Sequence, residues 1–206
     1  MMFLDREKFQ YTNDWFETVK PFWDSLLPQV NPRRVLEIGS LEGQSTCYLI
    51  EKMAELNSTE LSEIHCVDPW MNYDELNTTN VHAAEMRFDS NITTIKSFTG
   101  QNISIIKHKD LSANVLPRML AEGKKNYFDF VYVDGAHNAP DVLFDAVMAY
   151  ELTKPGGLIV FDDYLWFNFA SAENRNFIDY PKIAIDAFTN IYGKKVEYCR
   201  RCGRGS

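Results

Sequence analysis

VLEIGSLEGQST, residues 35–46, is a short apolar run that stops at a glycine turn and passes straight into a helical pattern. A run of this length reads as a buried strand. Gly39 and Gly43 permit the tight turn and close backbone approach that a strand-to-helix junction needs. The helix behind the turn carries Cys47, Leu49, Ile50, Met53 and Leu56 at inward spacing. Its first turn offers free N–H groups to a ligand.

Downstream the same alternation repeats. EIHCVD (63–68) reads as a second strand, and a polar stretch (72–80) leads into a helix over about 81–98 carrying Val81, Ala84, Phe88, Ile92, Ile95 and Phe98. NISIIKH (102–108) is a third strand, followed by a helix over 112–121, and FDFVYVD (128–134) is a fourth. Asn138 and Pro140 supply the cap and first-turn proline of a helix running to Thr153. KPGG breaks that helix, LIVFDD (158–163) is a fifth strand, and a helix over 181–192 precedes the strand KKVEYCR. Strands that are near-continuous apolar runs and alternate with helices predict an α/β three-layer sandwich around a mostly parallel sheet. Upstream, residues 11–27 place Trp15, Phe16, Val19, Phe22, Trp23 and Leu26 at helical spacing, with Pro21 expected to kink or split the helix. Residues 1–30 are therefore expected to form a helical cap on a domain spanning 31–206.

Composition narrows the class. At 206 residues the chain suits one domain, and 45% hydrophobic with 24% charged residues is an ordinary soluble balance. It holds no apolar run of about 18 residues, the length a membrane span needs, so no membrane partner is expected. MMFLDREKFQ lacks the pattern of a secretory signal, which makes the cytoplasm the expected location. A net charge of -8 disfavours nucleic acid as a partner. Cys47 and Cys66 sit in apolar segments and read as buried thiols, while Cys199 and Cys202 make a single CxxC without the second pair that zinc would need.

Ligands of open parallel sheets bind beyond the carboxyl ends of the strands. Glu37, Asp68, Asp110, Asp134, Asp162 and Asp163 all fall at or just past such ends. A dinucleotide would want G-x-G-x-x-G, but the residue two after Gly39 is Leu41. Glu37 and Glu42 would also repel a pyrophosphate. S-adenosylmethionine, with a sulfonium, an ammonium and no phosphate, suits this turn better. The candidate cofactor residues are Glu37, Gly39, Ser40, Gly43 and Ser45 in the turn. Asp68 joins them for a two-point contact to ribose, and Asp110 for the adenine amino group. If the fourth and fifth strands are neighbours, Asp134, Asp162 and Asp163 converge, and a hard divalent cation would relieve their repulsion.

VLEIGSLEGQST, CVDPW and VYVDGAH…LTKPGGLIVFDDY resemble the successive motifs of class I S-adenosylmethionine-dependent methyltransferases. They are most similar to the O-methyltransferase group of catechol, caffeoyl-CoA and macrocin type, over about residues 33–164. The resemblance implies a Rossmann-like fold and Mg2+ or another divalent cation held by Asp134, Asp162 and Asp163. Asp163 stands where many relatives have asparagine. His137 stands where catechol-type relatives have a lysine base, so His137 and Asp134 are the candidate catalytic residues. The implied reaction is metal-assisted O-methylation of a small hydroxyl-bearing acceptor. Metal-independent N- or protein methylation and a catalytically silent cofactor-binding domain are the alternatives; the missing fingerprint argues against a nicotinamide-dependent oxidoreductase. Trp70, Tyr73, Tyr164 and Trp166 read equally as walls of an acceptor pocket or as core aromatics. No final antiparallel strand is evident, which would leave a sheet edge through which a homodimer could form.

Overall fold

Five strands take up the most continuous apolar runs of the chain: β1 (Arg34–Ile38), β2 (Ser62–Val67), β3 (Ile103–His108), β4 (Phe128–Val133) and β5 (Thr153–Phe161). They pair in the order β3-β2-β1-β4-β5, every neighbour parallel. The computed structural model describes residues 8–56, 60–71, 81–99, 102–166 and 176–199. The polar stretch 72–80, Tyr73 and Cys202 lie outside them.

Helices cover both faces, as the alternation of elements requires. On one face α1 (Phe16–Val30), α2 (Gln44–Leu56) and α3 (Val81–Thr99) enclose a core of Trp23, Leu27, Tyr48, Ile50, Phe88, Phe130 and Tyr132. On the other, α4 (Ser112–Ala121) and α5 (Ala139–Leu152) close over Leu36, Val67, Leu116, Val131 and Leu152. A last helix, α6 (Pro181–Ile191), packs Ala184 and Ile185 against Ala139 and Val142 of α5. The strand order reverses beside β1, so the carboxyl ends of β1 and β4 flank the switch point where such sheets bind ligands.

Four local expectations give way to tertiary context. Pro21 does not split α1: both Pro21 and Pro28 lie on its exposed side, where water can satisfy the carbonyls they leave without a donor. The helix begins at Phe16, and Trp15 and Phe22 are 70% and 54% exposed, outside the core stripe. β5 begins at Thr153 rather than after KPGG, because a register shift against β4 absorbs the proline and glycines. KKVEYCR is no strand over its described residues: Lys195 and Val196 N–H groups donate to Tyr192 O and turn the chain at the end of α6. Among the described residues the outer edge of β5 therefore stays unpaired. The described residues contain no helix long and apolar enough to cross a membrane. Cys47 and Cys66 are free and buried.

One buried pair sets an acid limit on stability. His65 on β2 is buried, and its Nδ1 lies 2.9 Å from Nε2 of His108 on β3. Burial pushes the His65 pKa down to about 4. The folded state thus binds this proton less readily than the unfolded chain. Stability from this source is complete above the free-histidine value and is lost as pH falls from about 6.5 towards about 4. His65→Phe is expected to flatten that loss, holding on to about 2 kcal/mol at pH 4.5 in urea melts. Equal pH slopes for the two proteins would refute it.

Candidate active site

The ends of β1, β4 and β5 are stitched together by bonds just past the strands. Asp134 N–H donates to Ile38 O (2.8 Å), and Asp162 N–H donates to Val133 O (3.2 Å). This brings one carboxylate oxygen from each of Asp134, Asp162 and Asp163 within 4.8 Å of the others. Three carboxyl groups so close resist ionising together. Burial, followed by the charges of Asp162 and Asp163, holds Asp134 well above the usual carboxylate range. Burial is also the main cause that raises Asp162. Tyr132, two residues before Asp134 on β4, donates its hydroxyl to Asp134 Oδ2 (3.1 Å). An all-oxygen cluster at a strand edge suits a hard divalent cation.

His137, in the loop after β4, is half exposed and reaches the same cluster. Its Nε2 lies 3.1 Å from Asp163 Oδ2, and its ring stacks on Trp166 at 4.2 Å between centroids. The two candidate catalytic residues, Asp134 and His137, thus share one site with the metal candidates. Of the flanking aromatics, Trp166 joins this site, Trp70 is core, and Tyr164 bonds Asp186 of α6 through its hydroxyl (2.8 Å).

The glycine turn is built around two carboxylates. Glu37 is fully buried and accepts hydrogen bonds from the hydroxyls of Ser40, Ser45 and Thr46. Burial raises its pKa, against the pull of those donors. Ser40 and Ser45, read from the sequence as cofactor contacts, spend their hydroxyls on Glu37. Asp68 takes three backbone donors: Ser40 N–H (3.0 Å) and Leu41 N–H (2.9 Å) on Oδ2, and Trp70 N–H (2.7 Å) on Oδ1. Its pKa is raised by burial, with the three amides opposing. A two-point contact to ribose requires some of these amides to yield. Trp70 Nε1–H donates to Leu41 O (2.7 Å), tying together two bulky residues that both hold positive φ, 41° and 44°. Such backbone strain collects at binding sites.

Gly39 sits at φ 89°, and a Cβ there would lie 2.0 Å from Asp134 O. Gly43 packs against the Phe88 ring, which a Cβ would approach to 2.9 Å. Asp110, past β3, is partly exposed; its Oδ1 accepts Asn114 Nδ2–H (2.9 Å) and Leu111 N–H (2.8 Å), which lower its pKa. The sequence-predicted residues therefore form two adjoining groups on one sheet edge, a turn group and a triad group, joined where Gly39 meets Asp134.

Glu42 behaves differently from its expectation. It is buried, accepts from Arg87 Nε (2.6 Å), Thr12 N–H (2.6 Å) and Thr12 Oγ1 (2.7 Å), and pairs with Arg87 Nη2 (2.6 Å). Its charge is neutralised by Arg87, so repulsion of a phosphate cannot be ascribed to it. Sequence reading missed this clamp, since Arg87 lies 45 residues away on α3. It also missed Tyr132, whose signal was available: residues two apart on a strand share a face.

A family model described as a methyltransferase domain matches residues 36–164. A probable caffeoyl-CoA O-methyltransferase 3 of Dictyostelium discoideum is 23% identical over 173 residues, 80% of this chain. The chain spans 60% of the length of that relative. Among solved structures, the O-methyltransferase from Bacillus cereus in complex with SAH superposes with a TM-score of 0.61 at 18% identity, covering 94% of this chain and 76% of that one. The O-methyltransferase from Streptomyces achromogenes involved in tomaymycin synthesis, in complex with SAM, gives 0.56 at 15% identity over 93% and 83%. These superpositions show the fold.

Proposed function

Because the chain belongs to the methyltransferase-domain family, we propose that it transfers a methyl group from S-adenosylmethionine to a hydroxyl of a small acceptor, assisted by a divalent cation. The observation that carries this reading is the convergence of Asp134, Asp162 and Asp163 within 4.8 Å beside the β1 turn. These three residues would hold the cation, and oxygen-only ligands favour Mg2+. When bound, such a cation makes an acceptor hydroxyl more acidic. The cofactor is assigned to the turn of Gly39 and Gly43, with Asp68 facing the ribose and Asp110 the adenine; Glu37, Ser40 and Ser45 shape that turn from within.

S-adenosylmethionine held there would supply a sulfonium methyl group, which the acceptor oxygen would take as the sulfur–carbon bond breaks and its electron pair stays on sulfur. His137 takes the acceptor proton: its Nε2 reaches the cluster at Asp163 Oδ2, and its ring stacks on Trp166. The chain's remaining contribution is alignment of an already activated methyl.

Titration calorimetry tests the reading. S-adenosylmethionine is expected to bind with a Kd of about 1–10 μM, weakened about tenfold or more in Asp68→Ala. With an accepted acceptor, EDTA should stop turnover and magnesium restore it. Absence of heat at millimolar cofactor would overturn the cofactor assignment, and full turnover in EDTA would overturn the metal.

A further inference from the structure

Glu42 stands between the two glycines of the β1 turn, but its side-chain partners lie outside that turn. Arg87 and Asn91 are four residues apart and so share one face of α3. Arg87 holds the Glu42 carboxylate, and Asn91 Nδ2–H donates to the Glu42 carbonyl (2.9 Å). The N-terminal segment reaches the same two points. Thr12 bonds the carboxylate, while Gln10 N–H donates to Asn91 Oδ1 (2.7 Å) and Gln10 O accepts from Asn91 Nδ2 (3.2 Å). Beside them, Gly43 packs against Phe88 and Ile92 of the same helix. Glu42 and Asn91 are 2% and 0% exposed, so water cannot take over these bonds while the packing holds.

What the clamp fixes is a strained backbone. Leu41, next to Glu42, holds φ 41°, a conformation that a bulky residue keeps only under constraint. The carbonyls of Ser40, Leu41 and Glu42 are engaged in turn by Gly43 N–H (2.7 Å), Trp70 Nε1–H (2.7 Å) and Asn91. Held this way, the turn sets the Ser40 and Leu41 N–H groups on Asp68 Oδ2. The third amide on Asp68, that of Trp70, meets Oδ1 and belongs to the chain after β2. We infer that Glu42 and Arg87 are positioning residues for the cofactor: by pinning the turn to α3 they keep Asp68 Oδ2 in place and leave Oδ1 as the oxygen that turns to the ribose. Both act through Leu41 and Asp68. Their role presupposes the assignment of S-adenosylmethionine to the β1 turn.

Glu42→Gln and the double variant Glu42→Gln/Arg87→Met separate positioning from folding. Removing one partner of a buried ion pair strands the other charge, whereas removing both does not. Glu42→Gln is therefore expected to lower the Tm, and the double variant to recover most of the loss. Cofactor affinity should not recover with it: by calorimetry, the Kd for S-adenosylmethionine should be weaker by about tenfold or more in both. In turnover with an accepted acceptor, KM for the cofactor should rise in parallel while kcat falls by less than about threefold. Arg87→Lys, which keeps the charge but loses the planar fork, should bind with a Kd between those of wild type and the double variant. Asp129→Asn is the stability control. It weakens the bonds to Arg33, Arg34 and Lys154 at the opposite ends of β1 and β4, and should lower the Tm without weakening the cofactor. A Kd within about twofold of wild type in Glu42→Gln, or one that recovers with the Tm in the double variant, overturns the positioning role. Deuterium exchange of the ligand-free protein judges the clamp apart from the cofactor: residues 39–43 should exchange at least about tenfold faster in Glu42→Gln. Unchanged exchange there overturns the clamp itself. Faster exchange in the variant, with no cofactor heat in wild type, removes the cofactor assignment and the positioning role with it, while the clamp stands.

Discussion

Gly39→Ala is expected to cost about 4 kcal/mol or more of stability and at least about 100-fold in cofactor affinity. Two effects combine. The residue holds φ 89°, which an L side chain adopts only under strain, and its Cβ would stand 2.0 Å from Asp134 O. That oxygen is backbone, fixed by the pairing of β1 and β4, so relief requires the β1 turn and the β4 end to separate. These are the two halves of the site. For a chain of this size the loss corresponds to a fall in Tm of about 8–16 °C. Gly123→Ala is the control: it has φ 85° but nothing within 4 Å of the added carbon. Strain alone should cost it about 1 kcal/mol. If the two variants melt alike and bind the cofactor alike, the close approach of the turn to Asp134 does not govern the site.

The second large effect separates folding from function at the triad. In wild type, saturating magnesium should raise the Tm by about 5–10 °C, since a ligand at 100 times its Kd contributes about 2.7 kcal/mol. Asp134→Asn should abolish that increment and cut kcat by about 1000-fold or more. In EDTA the variant should melt at or above the wild-type temperature. Burial and its two acidic neighbours already favour the neutral form of Asp134, so an amide of the same shape removes repulsion without opening a cavity. A variant that is markedly less stable than wild type in EDTA would contradict the account of crowded carboxylates. One that keeps the magnesium increment would show the cation to bind elsewhere.

The sheet was legible because buried parallel strands announce themselves: FDFVYV is buried at every position of β4, and no amphipathic alternation hides it. Strand ends followed, and with them the positions of Asp134, Asp162 and Asp163. Legibility failed where a residue's role depends on a partner far along the chain. Pro21 is tolerated because of which side of α1 faces water, and the 153–157 segment joins β5 because β4 offers it a shifted register. Neither is encoded in a window of ten residues. The same holds within the site. Asp68 reads from its strand end as a free carboxylate, yet three amides brought in by the turn and by Trp70 occupy it. Glu42 reads as a repulsive charge until Arg87 is seen beside it. The residue type was visible in both cases; its remaining capacity to bind was not.

Trp23 of α1 packs edge-on against Phe130 and Tyr132, and Tyr132 in turn donates to Asp134. The edge that carries the three carboxylates thus leans on α1, which supplies none of them. Substitutions that change the volume of α1's inner face reach the triad through two contacts, so a lineage could retune its chemistry by drift in that helix while every residue lining the acceptor stays the same. Among relatives of this chain, divergence in activity need not be sought only where the substrate lies.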